Sequence, residues 1–194
     1  GSMAKAARAT ERTFPRVSPL ADVAVQGRFG AGKGAAGVTL SVRHPLSIVT
    51  VIARKGKAKA TADVLAGVRG ATVMWAGPDQ YFVQSEGRGE GALAGELASA
   101  LAGIASVSDQ SHGRVVIRIE GPKARAVLAK GTPVDLHPEQ FPVGQSALTQ
   151  MAHVGVHVTR VGEVAYELSV FRGFSQSFWE WLTEQSEEFG YLVR

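Results

Sequence analysis

Read from Val38 onward, the chain presents strands and helices in one order twice over, and that repetition limits its possible folds more than any other feature. Val38-Thr39-Leu40-Ser41-Val42 and residues 47–53 read as strands around His44-Pro45, and residues 57–66 as a short helix stopped by Gly67. Residues 71–76 and 80–85 then form a hairpin through Gly77-Pro78-Asp79. In residues 89–103 the four-residue spacing of Leu93, Leu97 and Leu101 marks one helical stripe, and residues 104–109 return as a strand. From Gly113 the order restarts. Val115, Ile117 and Ile119 alternate with Arg114, Arg118 and Glu120, so one face of that strand meets a core. A helix over 123–130 follows, with Pro122 near its first turn. Strands over 145–152, 153–160 and 164–171 come next, then a helix to about Phe189 and a last strand at 191–193. Ser177 and Glu180 fit a capping box at the start of that closing helix.

Two βαββαβ sets predict an α+β protein of two ferredoxin-like lobes, the first over about 38–109 and the second over about 113–194. So short a junction makes them pack as one unit over 18–194. Ahead of it, Gly1-Ser2 reads as a cleavage scar and residues up to 17 as a flexible, basic arm that can order on a partner. A hydrophobic fraction of 45% in 194 residues suffices for a sizeable core without disulfides. The absence of cysteine removes thiolate chemistry and, with no apolar run long enough for a membrane span or signal peptide, predicts a cytoplasmic protein.

Few residues suggest chemistry. Gly27 to Gly34 almost spells a phosphate-binding loop, but Gly34 replaces the hydroxyl residue that holds magnesium, and a strand follows where a helix is required. His153 and His157 would share one strand face about 13 Å apart at roughly 3.3 Å per residue, too far for one metal ion. Arg114 and Arg118 on one strand, with Glu163 and Glu167 on another, suggest cross-strand ion pairs or a face that docks on protein. The net charge of +4 is dispersed, and its one dense run, Arg54-Lys55-Gly56-Lys57-Ala58-Lys59, has no aromatic residue for base stacking, so no nucleic-acid partner is expected. Along the closing helix Phe174, Phe178, Trp181, Leu182 and Phe189 form a core stripe, with Trp179 on its flank.

Two unusual runs remain. Gly131-Thr132-Pro133-Val134-Asp135-Leu136-His137-Pro138, continued by Phe141-Pro142-Val143-Gly144, has three prolines in ten positions and must be a rigid connector. Phe174-Ser175-Gln176-Ser177-Phe178-Trp179-Glu180-Trp181-Leu182 is an aromatic helix. With Ser18-Pro19-Leu20 and Asp109-Gln110-Ser111-His112, they resemble the gamma subunit of heterotetrameric sarcosine oxidase, and Gly77-Pro78-Asp79-Gln80-Tyr81-Phe82 is similar to the hairpin of aminomethyltransferase (glycine-cleavage T-protein) relatives. The resemblance implies an aminomethyltransferase-like fold and a cofactor-free subunit working beside alpha, beta and delta chains. It places flavins, NAD, zinc and the tetrahydrofolate site in those chains, which oxidise sarcosine, pass its one-carbon unit to tetrahydrofolate and release hydrogen peroxide. No catalytic, cofactor-binding or metal residue is therefore assigned here, and Trp179, Phe141 and His137 are the candidate subunit-interface residues. Two alternatives stay open: a stand-alone folate-binding aminomethyltransferase-like protein, and the equivalent subunit of an N-methyl amino acid dehydrogenase.

Overall fold

The computed structural model describes residues 17–194, so the expected N-terminal arm lies outside the described residues except for Val17. The first lobe forms as its local patterns require. Strand β3 (Ser47–Ala53), helix α1 (Ala58–Ala66), the hairpin β4 (Thr72–Gly77) and β5 (Gln80–Ser85), helix α2 (Ala92–Ala100) and β6 (Ala105–Asp109) follow in βαββαβ order. Their antiparallel sheet runs β4-β5-β3-β6, the ferredoxin-like arrangement. The four-residue stripe Leu93, Leu97, Leu101 packs with Leu65 against Val49, Val51 and Val83. Each such side chain, fully buried, stabilises the fold by about 1.5–3 kcal/mol. The hairpin turn places Asp79 at φ +57°, a conformation that aspartate tolerates better than most residues.

The larger sheet combines β7 (Arg114–Glu120), β8 (Ser146–Met151), β9 (Val154–Gly162), β10 (Ala165–Phe171) and β11 (Tyr191–Val193), with α3 (Ala124–Ala129) and α4 (Ser175–Ser186) on one face. Two earlier strands join it: β1 (Gly27–Phe29) pairs with β11, and β2 (Val38–Val42) lies between β11 and β7, giving the order β1-β11-β2-β7-β10-β9-β8. The first lobe therefore begins at Ser47 rather than Val38. Val38 and Leu40 are buried in the larger lobe's core, which neither local propensity nor chain order reveals. Gly27, expected in a flexible loop, starts an edge strand because Tyr191 to Val193 offers it a partner.

The closing helix departs from expectation at its start. A 3₁₀ turn over Arg172–Phe174 leads into α4, so Ser177 lies inside the helix and its Oγ donates to Phe174 O (3.1 Å) instead of capping it. In the predicted stripe Phe178 and Leu182 are buried, Trp181 and Phe189 partly so, and Phe174 is exposed. Among the described residues no helix is long and apolar enough to cross a membrane.

The two sheets meet on the faces that their helices leave free. Ile48 and Leu46 pack on Val116, while Met74 and Phe82 of the smaller sheet meet Thr159 and His157 of the larger. This mixed layer of apolar and polar side chains, and not either helix-covered core, positions the site.

Candidate functional site

Beside the inter-sheet contact lies a cleft of about 690 Å³. One wall is the edge strand β4 from Thr72 to Met74, with Gln84 and Ser85 of β5, and the other includes Arg118, Thr159 and Glu167 from the larger sheet. Arg43 sits where β2 ends, held by its own N–H bond to Val116 O (2.9 Å). From there its guanidinium bridges the sheets: Nη1 donates to Glu167 Oε2 at 2.6 Å, and Nη2 pairs with Glu86 just beyond β5. Glu167 is buried, so salt screens this ion pair far less than a surface one. Thr159 Oγ1 shares a 2.6 Å hydrogen bond with Ser146 Oγ. Arg160 Nη1 and Nη2 donate to Phe141 O (3.1 Å) and Glu163 O (2.8 Å), which ties the proline-rich connector to the sheet.

Deeper in the same layer, Arg114 Nε donates to Ser169 Oγ (2.8 Å) and Nη2 to Ser169 O (3.0 Å). Its guanidinium lies 4.8 Å from the Phe82 ring centroid and 4.5 Å from that of Phe171, a double cation–π arrangement. Burial pulls its pKa down from the ordinary arginine range to about 10, which leaves it charged at neutral pH. His157 lies edge-on to Phe82 (4.7 Å) and donates from Nε2 to Trp75 O (2.7 Å). Burial lowers its pKa, the bond to Trp75 opposes that shift, and the Arg114 charge adds to the lowering. The imidazole is thus a neutral donor that joins the two sheets.

These groups bind one another. A general base needs a carboxylate or imidazole able to reach a substrate proton. Glu167 is held by Arg43, and His157 spends its Nε2 proton on a carbonyl. Among the described residues no group of three His, Asp or Glu side chains could hold a metal ion. What the cleft does offer is main chain along an unpaired edge, apolar walls at Leu46, Val73 and Val143, and the guanidinium of Arg118.

The residues singled out from sequence are scattered. Trp179 (4% exposed) and Phe141 (1%) are in the core of this chain and present no side chain to a partner. The flank of a helical stripe is covered here because the core wraps around α4, and Phe141 is folded inward by its N–H bond to His137 O. His137 is exposed, and its Nδ1 accepts from Glu139 N–H (3.2 Å). His153 and His157 do not share a strand, since Ala152 (φ +51°) and His153 (φ +64°) form the turn between β8 and β9. Glu167 and Arg118 are register partners on β10 and β7 as the spacing suggested, yet Glu167 is taken by Arg43 while Arg118 pairs with Glu120 through Nε at 3.3 Å. Glu163 gives its carbonyl to Arg160 instead of forming the second cross-strand pair. The central role of Arg43 had no local signal, because it depends on β2 crossing into the larger sheet.

A family model described as the sarcosine oxidase, gamma subunit family matches residues 45–188. The chain belongs to that family. It is 35% identical over 136 residues to the sarcosine oxidase gamma subunit of Arthrobacter sp., covering 69% of this chain and 66% of that protein. Its identity with the gamma subunit from Corynebacterium sp. strain U-96 is 34% over 135 residues, 69% of this chain and 65% of the relative. The aligned stretch thus spans slightly less than two thirds of each relative. Among solved structures, a chain of heterotetrameric sarcosine oxidase from Corynebacterium sp. U-96 superposes with a TM-score of 0.77 at 29% identity, covering 90% of this chain and 96% of that one. Aminomethyltransferase T of the glycine cleavage system from Bartonella henselae shares the fold, with a TM-score of 0.59 at 18% identity over 78% of this chain and 47% of that one.

Proposed function

We propose that this chain is the cofactor-free gamma subunit of a heterotetrameric sarcosine oxidase. It stabilises and positions the larger flavin-bearing subunits while they oxidise sarcosine and deliver its one-carbon unit to tetrahydrofolate. Its companions are the alpha, beta and delta subunits, which hold flavins, NAD, zinc and the folate site. The observation that carries this reading is the gamma-subunit family match over 45–188. The chemistry of the cleft and of the layer behind it supports it, because the buried carboxylate of Glu167 is held by Arg43 and the imidazole of His157 is committed to joining the two sheets. Co-expression with the three companion subunits tests it. The expected product is a yellow complex of much higher mass that carries this chain and turns over sarcosine. Oxidation of an amine by the isolated chain would overturn the reading, as would failure of the chain to enter the complex.

A further inference from the structure

Strand β4 is an edge without the usual protection. Native edge strands are blunted by charge, proline or a bulge, since a bare row of N–H and C=O groups recruits another strand. From Thr72 to Trp75 the register with β5 is regular, the bulge comes only between Trp75 and Gly77, and no charged residue or proline occurs in the strand. The opposite edge of the same sheet, β6, is polar and ends in Asp109. The larger sheet's β8 edge is also uncharged, but the connector partly covers it through Thr132 Oγ1 and Thr149 Oγ1 (2.7 Å). The Trp75–Gly77 end of the strand abuts the larger sheet, where His157 donates to Trp75 O (2.7 Å) and Leu148 lies beside Gly77, but beyond the ladder with β5 the backbone of Thr72, Val73 and Met74 makes no hydrogen bond among the described residues. Val73 is 36% and Trp75 48% exposed, two apolar side chains at alternate positions on one strand face.

The charged cleft opens along this same edge, because Thr72, Val73 and Met74 form part of its wall. Three guanidinium groups line it against two carboxylates. Arg43 is matched by Glu86 and Glu167, and Arg160 is turned toward backbone carbonyls. The cation left over is Arg118, whose one ion-pair partner among the described residues is the exposed Glu120 outside the cleft. A segment that adds to β4 gains main-chain hydrogen bonds, apolar contact with Val73 and Trp75, and a positive group within reach of its side chains.

We propose that β4 is a docking edge: an extended segment of a companion subunit, with an acidic side chain among apolar ones, pairs with Thr72–Met74 and places its carboxylate in the cleft beside Arg118. The inference rests on the gamma-subunit reading above and names the surface through which that role is carried out. Backbone pairing supplies affinity, while the Arg118 contact fixes register.

Hydrogen exchange on the wild-type complex and on the isolated chain tests this directly, using co-expressed companion subunits as the probe. Among residues 72–74, each amide that faces away from β5 is expected to exchange at least about tenfold more slowly in the complex, as edge amides do when they acquire a partner strand. Val73→Lys and Trp75→Lys should lower the yield of complex by about tenfold or more, as charge on an edge opposes strand addition. Both positions are exposed, and unchanged thermal unfolding of the isolated variants shows that they still fold. Arg118→Glu should weaken assembly, with more recovery at high salt than the lysine variants show. Unchanged exchange in a complex that does form, or full assembly of both lysine variants, overturns the inference while leaving the subunit reading intact. Equal protection of β4 in a self-associated isolated chain assigns the edge to a second copy and also overturns it. A wild-type chain absent from the complex overturns the subunit reading, and this inference with it.

Discussion

His157 is a neutral imidazole committed as a donor to Trp75 O, with the Arg114 charge on its own side of the inter-sheet layer. Its folded pKa lies below the unfolded value near 6.5, so below that pH the unfolded chain binds more protons than the folded one. The stability contributed by keeping His157 neutral is therefore complete above about pH 6.5 and lost as pH falls toward the lowered folded value. Thermal unfolding followed between pH 8 and pH 5 should show this fall, and His157→Gln should flatten it; an equal slope in the variant would remove His157 as its source. Arg114 calls for a different experiment, because it stays charged across that range. Arg114→Met leaves Ser169 Oγ without its guanidinium partner and removes the cation from between two phenylalanine rings. A loss of about 1–3 kcal/mol in chemical denaturation is expected, the usual cost of stranding a buried polar group.

Among the elements, the proline-rich connector shows how a run that is neither helix nor strand can still be fixed. It is pinned at Thr132, Phe141 and Pro142: by the bond to Thr149, by burial, and by the bond from Gln145 N to Pro142 O. At its start Gly131 lies under α4, where an added Cβ would come within 2.3 Å of Trp181 Cζ2. That ring stacks on Phe178 at 5.8 Å and cannot move freely. Gly131→Ala should cost about 1–3 kcal/mol through overpacking, read as a lower urea midpoint at unchanged m-value. Gly155→Ala, in β9 where a Cβ meets nothing within 4 Å, is the matching control and should stay within about 0.5 kcal/mol of wild type. The sequence patterns located these elements well where the signal was local: the leucine stripe of α2, the alternation of β7 and the Gly-Pro-Asp turn are each set by residues a few positions apart. They could not place β2 in the other lobe's sheet, nor pair β1 with β11 across more than 160 residues. Nor could they foresee the cleft. Its walls come from different lobes, and its key cation, Arg43, reaches Glu167 only because β2 crosses over.

At the scale of the whole molecule, stability depends on two well-packed helix-and-sheet halves staying joined through a layer that is partly polar. Leu46, Ile48 and Val116 supply a small apolar contact, and the bridge from Arg43 to Glu167 and Glu86 supplies an ionic one. The two arms of that bridge differ in worth. Glu86 is mostly exposed, so Glu86→Ala should cost less than about 1 kcal/mol, as surface pairs generally do. Glu167 is 7% exposed, and Arg43→Met would leave its carboxylate buried without its ion-pair partner, a loss of about 3 kcal/mol. If that penalty arises from the stranded charge, Glu167→Gln placed in the Arg43→Met background should recover much of the loss, whereas the same substitution alone should destabilise. If Arg43 acts mainly by packing, the double variant will recover nothing. Urea unfolding of the four proteins separates the outcomes. Because the bridge spans the sheets, a transition in Arg43→Met that divides into two phases would show that the halves unfold as one body only while this guanidinium joins them.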